Sequence, residues 1–295
     1  MNILVCGANG FVGQHLTHAL RQAGHTLFRG VRRPSQPGDI AMDYRTDTRE
    51  AIWLPRLEGI SVVVNAVGVL RDSAEKPMER LHAETPMALF SACSTAGVKR
   101  IVHLSALGVE RGINTAYFRS RIAAETHLNN LPSSMQWLVL RPSLIYGHDG
   151  ASARLFRFLA RLPVHLLPMK GQQALQPVHI DDLCESVVRW LDNPNANNQT
   201  IAAVGSLATT LRGMLDSYRM QMKRPPALHL ATPASLMKLA ARAGDHIAAS
   251  PLCSDTLTML LAGNTASDTA FSALLGHRPK SYQTFIQQGV ADEYA

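Results

Sequence analysis

The sequence predicts an α/β fold: a doubly wound parallel sheet with helices on both faces, followed by a smaller, mostly helical C-terminal part. Three observations lead there. Short apolar runs alternate with helical segments of ten or more residues from Asn2 to Arg141, the pattern of repeated βαβ units. Three consecutive valines, Val62, Val63 and Val64, mark a buried strand in the middle of that stretch. After Gly147 the pattern breaks, with prolines at 163, 168, 177, 194, 225, 226, 233 and 251 cutting the chain into short helices and loops.

The elements follow in order. Asn2 to Cys6 reads as a buried strand and Phe11 to about Ala23 as a helix, with Gly24 at its C-cap. His25 to Val31 is a second strand, and Ile40 to Met42 a short third one. Ser61 to Ala66 is the fourth, Arg100 to Ser105 the fifth, preceded by a capping Gly97, and Gln136 to Arg141 the sixth. Asp181 to Leu191 reads as a helix that returns to the sheet, and Thr200 to Ala203 as one more strand. The expected division is therefore interleaved: residues 1–146 form the first domain with 176–204 returning to it, and 147–295 form the smaller substrate-binding part.

Bulk properties remove several function classes. Of 295 residues, 46% are hydrophobic and 17% charged, an ordinary globular composition, and no apolar run is long enough to span a bilayer. No basic leader precedes the first strand, so a cytoplasmic protein is expected. Cys6, Cys93, Cys184 and Cys253 are far apart and form no CxxC pair, which predicts reduced, buried thiols. His15 with His18, and His179 near Asp181 and Asp182, have no supporting ligand set, so no metal is expected from the sequence.

The net charge of +7 points to an anionic partner, and arginines spread without a nucleic-acid motif argue against nucleic acid. The one cluster, Arg154, Arg157 and Arg161, falls on one face of a helix whose other faces carry Leu155, Phe156, Phe158, Leu159 and Leu162. A core-packed helix with a solvated basic stripe is expected, and a membrane-surface helix is the alternative.

The chemistry begins in the loop after the first strand, Gly7-Ala-Asn9-Gly10-Phe11-Val12-Gly13. Gly7 permits a tight turn, Gly10 lets the backbone approach a pyrophosphate, and Gly13 lets the helix pack on the strand. The helix N-terminus then offers donors to the phosphates. Strand, loop, helix and second strand within about 30 residues make this a Rossmann-type dinucleotide site. Such sites for NAD place an acidic residue at the end of the second strand. Here Arg32 and Arg33 stand there, with Arg29 before them, and a guanidinium grips a 2′-phosphate that a carboxylate would repel. NADP(H) is therefore expected over NAD(H).

Gathered together, these residues resemble the short-chain dehydrogenase/reductase superfamily, in its extended and atypical branches, over nearly the whole chain. Gly7 to Gly13 is similar to the family's glycine motif. Asp43 matches the aspartate used near the adenine, and Asn65-Ala66-Val67-Gly68 the Asn-Ala-Ala-Gly segment beside the cofactor. Arg141-Pro142-Ser143 is similar to the Arg-Pro step near the nicotinamide, and Gln176-Pro-Val-His-Ile-Asp-Asp182 to the stretch before a helix. Leu275-Gly276 with Pro279 resembles the family's ending. Ser105-Ala-Leu-Gly108 followed by Tyr117-Phe-Arg-Ser-Arg121 is most similar to the atypical group containing the NAD(P)-binding accessory subunit of respiratory complex I.

The resemblance implies a tyrosine that exchanges the substrate proton and a lysine one helical turn later that lowers its pKa and holds the nicotinamide ribose. Tyr117 is that tyrosine, but Arg121 stands in the lysine's place. Arginine keeps the charge and can bond a ribose hydroxyl, yet its planar fork is no compact ammonium, and it cannot release a proton. The catalytic serine aligns with either Ser105 or Ala106. A surface role for Tyr117, and a salt bridge from Arg121 to Glu125 at i+4, are the alternatives.

Three readings stay open on the sequence. One is an NADPH-dependent reductase of a small carbonyl or activated double bond, acting through Tyr117, Arg121 and Ser105. Another is a non-catalytic cofactor-binding sensor, or an assembly and stability factor for a membrane oxidoreductase. The third is an NAD-dependent sugar-nucleotide epimerase or dehydratase. The expected partners are a small-molecule substrate and a peripheral membrane or respiratory-complex association, for a monomer or homodimer.

Overall fold

The structure, a computed structural model, describes residues 1–132, 134–247, 250 and 252–286. In chain order the first half holds β1 (Asn2–Cys6), α1 (Phe11–Gln22), β2 (Thr26–Val31), β3 (Asp39–Ala41), α2 (Glu50–Trp53), β4 (Val62–Asn65), α3 (Thr85–Thr95), β5 (Arg100–Leu104), α4 (Ala116–Asn129) and β6 (Gln136–Pro142). Then come β7 (Ile145–Tyr146), α5 (Ala151–Arg161), β8 (Val164–Pro168), β9 (Ala174–Leu175), β10 (Val178–His179), α6 (Ile180–Asp192), β11 (Gln199–Ala203) and β12 (Thr209–Thr210). The chain continues through α7 (Leu211–Gln221), β13 (Leu228–Thr232), α8 (Ala234–Asp245), α9 (Ser254–Leu261) and α10 (Thr269–Leu275).

The main sheet has the strand order β11-β6-β5-β4-β1-β2-β3, and every neighbouring pair from β3 to β6 is parallel. Parallel strands covered on both faces must be apolar throughout, which is why β1 and β4 are buried from Ile3 to Cys6 and from Val62 to Asn65. The order reverses between β1 and β4. In such sheets ligands collect at the carboxyl ends beside that switch point, where the loops after the two strands diverge.

The chain divides into two compact units, Met1–Arg141 with Cys184–Ile201, and Pro142–Leu183 with the chain from Ala202 onward. Residues 142–146, 176–183 and 202–204, which the sequence grouped with the first domain, fall in the second. There Ile145–Tyr146 pair with Val178–His179 in a two-stranded ribbon. The first unit packs Trp53, Leu89, Phe90 and Leu128 against sheet residues Leu4, Val63, Ile101 and Val139. Each such side chain taken fully out of water stabilises by roughly 1.5–3 kcal/mol. The second unit has its own core around Tyr146, Met214, Leu215, Tyr218 and Phe285.

On α5 Arg154 and Arg161 are exposed, as a solvated basic stripe requires, and Arg157 is half-buried. Arg154 donates to the Asp149 carbonyl at 2.8 Å and Arg157 to the His148 carbonyl at 2.7 Å, so both guanidinium groups tie down the loop before the helix. Among the described residues no helix is long and apolar enough to cross a membrane.

All four cysteines are buried and unbridged. Burial pushes the Cys6 thiol up to about 12 and raises Cys93 as well, so neither forms thiolate near neutral pH. Both are expected to stay unmodified by iodoacetamide at pH 8 in the native protein and to react fully in urea. Mass spectrometry of digested samples would check this, and native-state alkylation of Cys6 would contradict it.

Candidate cofactor and catalytic site

The phosphate loop opens directly from β1. Gly7 takes φ +80°, a left-handed turn that side chains resist, and Gly10 in extended conformation begins α1. A Cβ on Gly13 would stand 2.1 Å from the Gly7 carbonyl oxygen, so the helix rests directly on the turn. No side chain caps α1 and no acid occupies its first turn, where Phe11 and Val12 sit half-buried, which leaves its positive end available to an anion. Asn9 is exposed, and its Oδ1 accepts from Arg29 Nη2 at 2.5 Å.

Arg29 also pairs with Asp39 at 3.4 Å, so the arginine nearest the loop is the one the sequence ranked behind its neighbours. Arg32 and Arg33 follow β2 and are exposed. Asp43 accepts from Arg45 Nε at 2.9 and 3.0 Å. That bond holds its carboxyl below the usual carboxylate range, and the charge of Arg32 adds to the effect.

At the carboxyl ends of β4 and β5 a second group of residues meets. Ala66 donates its N–H to the Cys6 carbonyl, and the Val67 N–H reaches Asn65 Oδ1 at 3.3 Å. A Cβ on Gly68 would lie 2.2 Å from Arg121 Nη2. Arg121 is only 5% exposed, donates from Nη1 to the Leu104 carbonyl at 2.7 Å, and sits with Cζ 5.4 Å from the Tyr117 ring centroid. Its Nε is buried without a hydrogen-bond partner, and so is the Ser105 hydroxyl. Arg121 thereby gathers the end of β4, the end of β5 and the half-buried Tyr117 into one place.

Beneath them lie His82, Tyr44 and His103, which sequence reasoning missed. His82 contacts Tyr117 edge-on at 5.4 Å and accepts the Val69 N–H on Nε2 at 2.9 Å. Its Nδ1 therefore carries the proton and faces Ser120 Oγ at 3.3 Å. Asn65 links Tyr44 and His103, accepting from the Tyr44 hydroxyl at 3.1 Å and meeting His103 Nδ1 at 3.2 Å. Burial, with the charge of Arg121 second, drives His82 down to about 2 and His103 to about 3. A polar residue inside the apolar run Ile101–Leu104 was the available signal for His103.

The Arg121–Glu125 pair that the sequence offered as an alternative does not form. Glu125 is 1% exposed and receives Arg141 instead, whose Nη2 approaches to 2.5 Å and whose Nε reaches both carboxylate oxygens at 3.2 Å. Arg141 also meets Glu110 at 3.3 Å. Pro142 ends β6. Within the second unit the Ser143 hydroxyl donates to the Gln176 carbonyl at 2.5 Å. There too, Asp181 is held below the usual carboxylate range, first by His179 and then by Lys280.

A surface cavity of ≈ 610 Å³ lined by Leu54, Leu57, Ile60, Ser61, Thr95 and Lys99 opens at the amino ends of β4 and β5, away from all of these residues.

Residues 3–205 match the model of the NAD dependent epimerase/dehydratase family. A ceramide reductase of Caulobacter vibrioides is 29% identical over 199 residues, covering 65% of this chain and 61% of that protein. The mitochondrial NADH dehydrogenase [ubiquinone] 1 alpha subcomplex subunit 9 of mouse is 23% identical over 214 residues, covering 68% and 56%. The chain thus spans less than two thirds of the length of these relatives. A human epimerase family protein solved with NADPH superposes with a TM-score of 0.73 over 97% of this chain and 99% of that one, at 19% identity, a likeness of fold.

Proposed function

The chain belongs to the NAD dependent epimerase/dehydratase family, an NAD(P)-binding, extended short-chain dehydrogenase/reductase group, and we propose that it is an NADP(H)-dependent reductase of a small carbonyl compound. Tyr117 is the proton donor in this reading, and Arg121 replaces the usual lysine. One observation carries it: Ser105 Oγ and Arg121 Nε are buried and unpartnered, and the arginine lies against Gly68. Buried polar groups nearly always find partners, so a pair left open at the sheet's carboxyl edge suits a site that a ligand completes.

The residues fit a dinucleotide. The loop Gly7 to Gly13 would hold the pyrophosphate through backbone N–H groups, since a Cβ at Gly13 would fill the space that lets helix and turn meet. Arg32 and Arg33, with Arg29, would grip a 2′-phosphate, Asp43 would lie near the adenine, and Ala66, Val67 and Gly68 beside the cofactor. Arg141 and Ser143 serve by support, because their side chains are occupied by Glu125 and by the Gln176 carbonyl. When bound, NADPH supplies two-electron reduction of the carbonyl carbon. Tyr117 would deliver the proton that the carbonyl oxygen takes up, with Arg121 holding its ring in place from 5.4 Å.

Arg121 also supports a second reading. Its burial and its bond to Leu104 give it structural employment that a catalytic lysine would not need. A cofactor-binding sensor, or an assembly and stability factor for a membrane oxidoreductase, fits that employment, as does the likeness to the mouse NADH dehydrogenase subunit.

Calorimetric titration with NADPH and NADH tests the cofactor. NADPH should bind at least tenfold tighter, and Arg32→Ala should remove the preference, because a charge-assisted contact contributes roughly 1.5–3 kcal/mol. NADPH oxidation against a carbonyl panel tests the chemistry. Tyr117→Phe keeps the ring against His82 and Arg121 and should cost about a hundredfold in turnover. Tight NADPH binding without turnover on any carbonyl would favour the second reading, and equal binding of NADH would overturn the NADP assignment.

A further inference from the structure

We propose that the second unit carries a binding site for a divalent cation of the zinc class, formed by His165, His229 and Asp216. The site has no part in the reaction proposed above and is built from the fold alone. Strands β8 and β13 pair in parallel with His229 opposite His165, so the two imidazoles leave the ribbon on the same face. Their ring centroids are 5.2 Å apart with the planes at 61°. Asp216 comes from α7 and brings Oδ1 to 2.8 Å from His229 Nε2. One potential ligand atom from each of the three residues lies within 4.8 Å of the others.

The second observation is the state of His165. It is 3% exposed, and neither ring nitrogen has a hydrogen-bond partner, although an imidazole always offers a donor, an acceptor or both. The Leu159 carbonyl lies beside the ring outside hydrogen-bond geometry. A small rotation would let it take one N–H and turn the other nitrogen toward a cation, the usual support for a ligating histidine.

The donor set selects the cation. Two imidazoles and one carboxylate suit borderline metals such as Zn²⁺ or Co²⁺ and leave positions for water, whereas Mg²⁺ and Ca²⁺ prefer oxygen throughout. Asp216 is partly exposed, which gives the ion an entry path, and its second oxygen faces Arg212 Nε at 3.5 Å, which orients the carboxylate. Arg219, whose charge also reaches His165, has its guanidinium committed to the carbonyls of Ala160, Leu162 and Pro225. A bound cation would clip the β8–β13 ribbon to α7.

The test uses the full-length, untagged protein stripped with a chelator and dialysed. Titration with ZnCl₂ in competition with a chromogenic chelator should give one bound equivalent. His229→Gln and Asp216→Asn, each shown to be folded by circular dichroism, should each weaken binding at least tenfold, while His18→Gln at an exposed position should leave it unchanged. Co²⁺ in place of Zn²⁺ should develop the ligand-field absorption of low coordination number in the wild type and lose it in both variants. Unchanged Zn²⁺ affinity in the two site variants would overturn the site, and so would binding of well under one equivalent by the wild type.

Discussion

A Gly13→Ala chain is expected to lose dinucleotide binding and about 3 kcal/mol of stability, at the upper end of the range for overpacking a rigid site. The added carbon would stand 2.1 Å from the Gly7 carbonyl oxygen, 2.8 Å from the Gly7 carbonyl carbon and 3.0 Å from the Ala8 Cα. All three are backbone atoms of a turn that is itself pinned, since the Gly7 N–H donates to the Gly30 carbonyl at 3.2 Å. Neither side can yield by rotating a side chain, so α1 must withdraw from the turn by roughly an ångström. That withdrawal moves the helix N-terminus away from the place where the loop's N–H groups converge. Gly24 is the control at the other end of the same helix. It has φ +82°, and a methyl added there would meet nothing within 4 Å, so Gly24→Ala should cost only about 1 kcal/mol of backbone strain and leave cofactor affinity unchanged. Urea denaturation and NADPH titration of both variants separate the effects. Wild-type NADPH affinity in Gly13→Ala would show that the loop is not the phosphate cradle.

How far the sequence could be read depended on whether a feature was local. The strands of the sheet were placed within a residue or two because each is a short apolar run with polar or glycine borders, and burial on both faces demands that run. The glycine loop was legible for the same reason, since the three glycines that build the turn lie within seven residues. Pairing across the fold was not. Spacing i to i+4 on α4 placed Arg121 and Glu125 on one face, but that spacing only brings side chains within reach. Glu125 goes to Arg141, sixteen residues away, which leaves Arg121 to turn under Gly68 and take the Leu104 carbonyl. Likewise the stripe Arg154, Arg157 and Arg161 has the period of a solvated face, and only the loop geometry before α5 shows that two of the three also bond loop carbonyls at the surface. The cluster of His165, Asp216 and His229 depends on strand register between segments 64 residues apart, for which the sequence carries no local mark.

The same tertiary placement explains why Arg121 differs from a lysine in more than shape. Its charge lies among groups that cannot answer it by ionising: His82 and His103 are both fully buried, and both are held neutral in part by the arginine itself. The compensating partner is a backbone carbonyl, a dipole at the end of β5. A lysine there would be shorter and would not span from α4 to Leu104 while also filling the space against Gly68. Arginine therefore locks the ends of β4 and β5 to the helix that carries Tyr117, at the expense of a proton relay.

Those two histidines also make the protein acid-sensitive, with an expected loss of about 2.7 kcal/mol of stability between pH 7.5 and pH 5.5. In the folded chain His82 is held at about 2 and His103 at about 3, whereas in the unfolded chain both take up a proton near the ordinary histidine value. Below that value the unfolded state binds two more protons than the folded state, so stability falls as the pH falls. The contribution is intact well above pH 6.5 and is lost progressively down to about pH 3, with about 1.4 kcal/mol per group going between pH 7.5 and pH 5.5. Protonation is resisted for a structural reason. His82 Nε2 accepts the Val69 N–H at 2.9 Å, and a proton there would set two donors against each other with Arg121 close by. His25, His127 and His165 are lowered too and act in the same direction, so the slope alone does not identify its source. The variants do. His82→Gln retains an acceptor for Val69, His103→Gln retains one for Asn65, and neither titrates. Each should remove about half of the 2.7 kcal/mol loss measured by urea denaturation at pH 7.5, 6.5 and 5.5, and the double variant nearly all of it. The carboxylates held low, Asp39, Asp43 and Asp181, add their own acid sensitivity only below about pH 5, outside the window measured. A double variant that loses as much stability as the wild type over that pH range would mean that the buried pair takes no part, and that the unfolded-state protons go to the more exposed histidines.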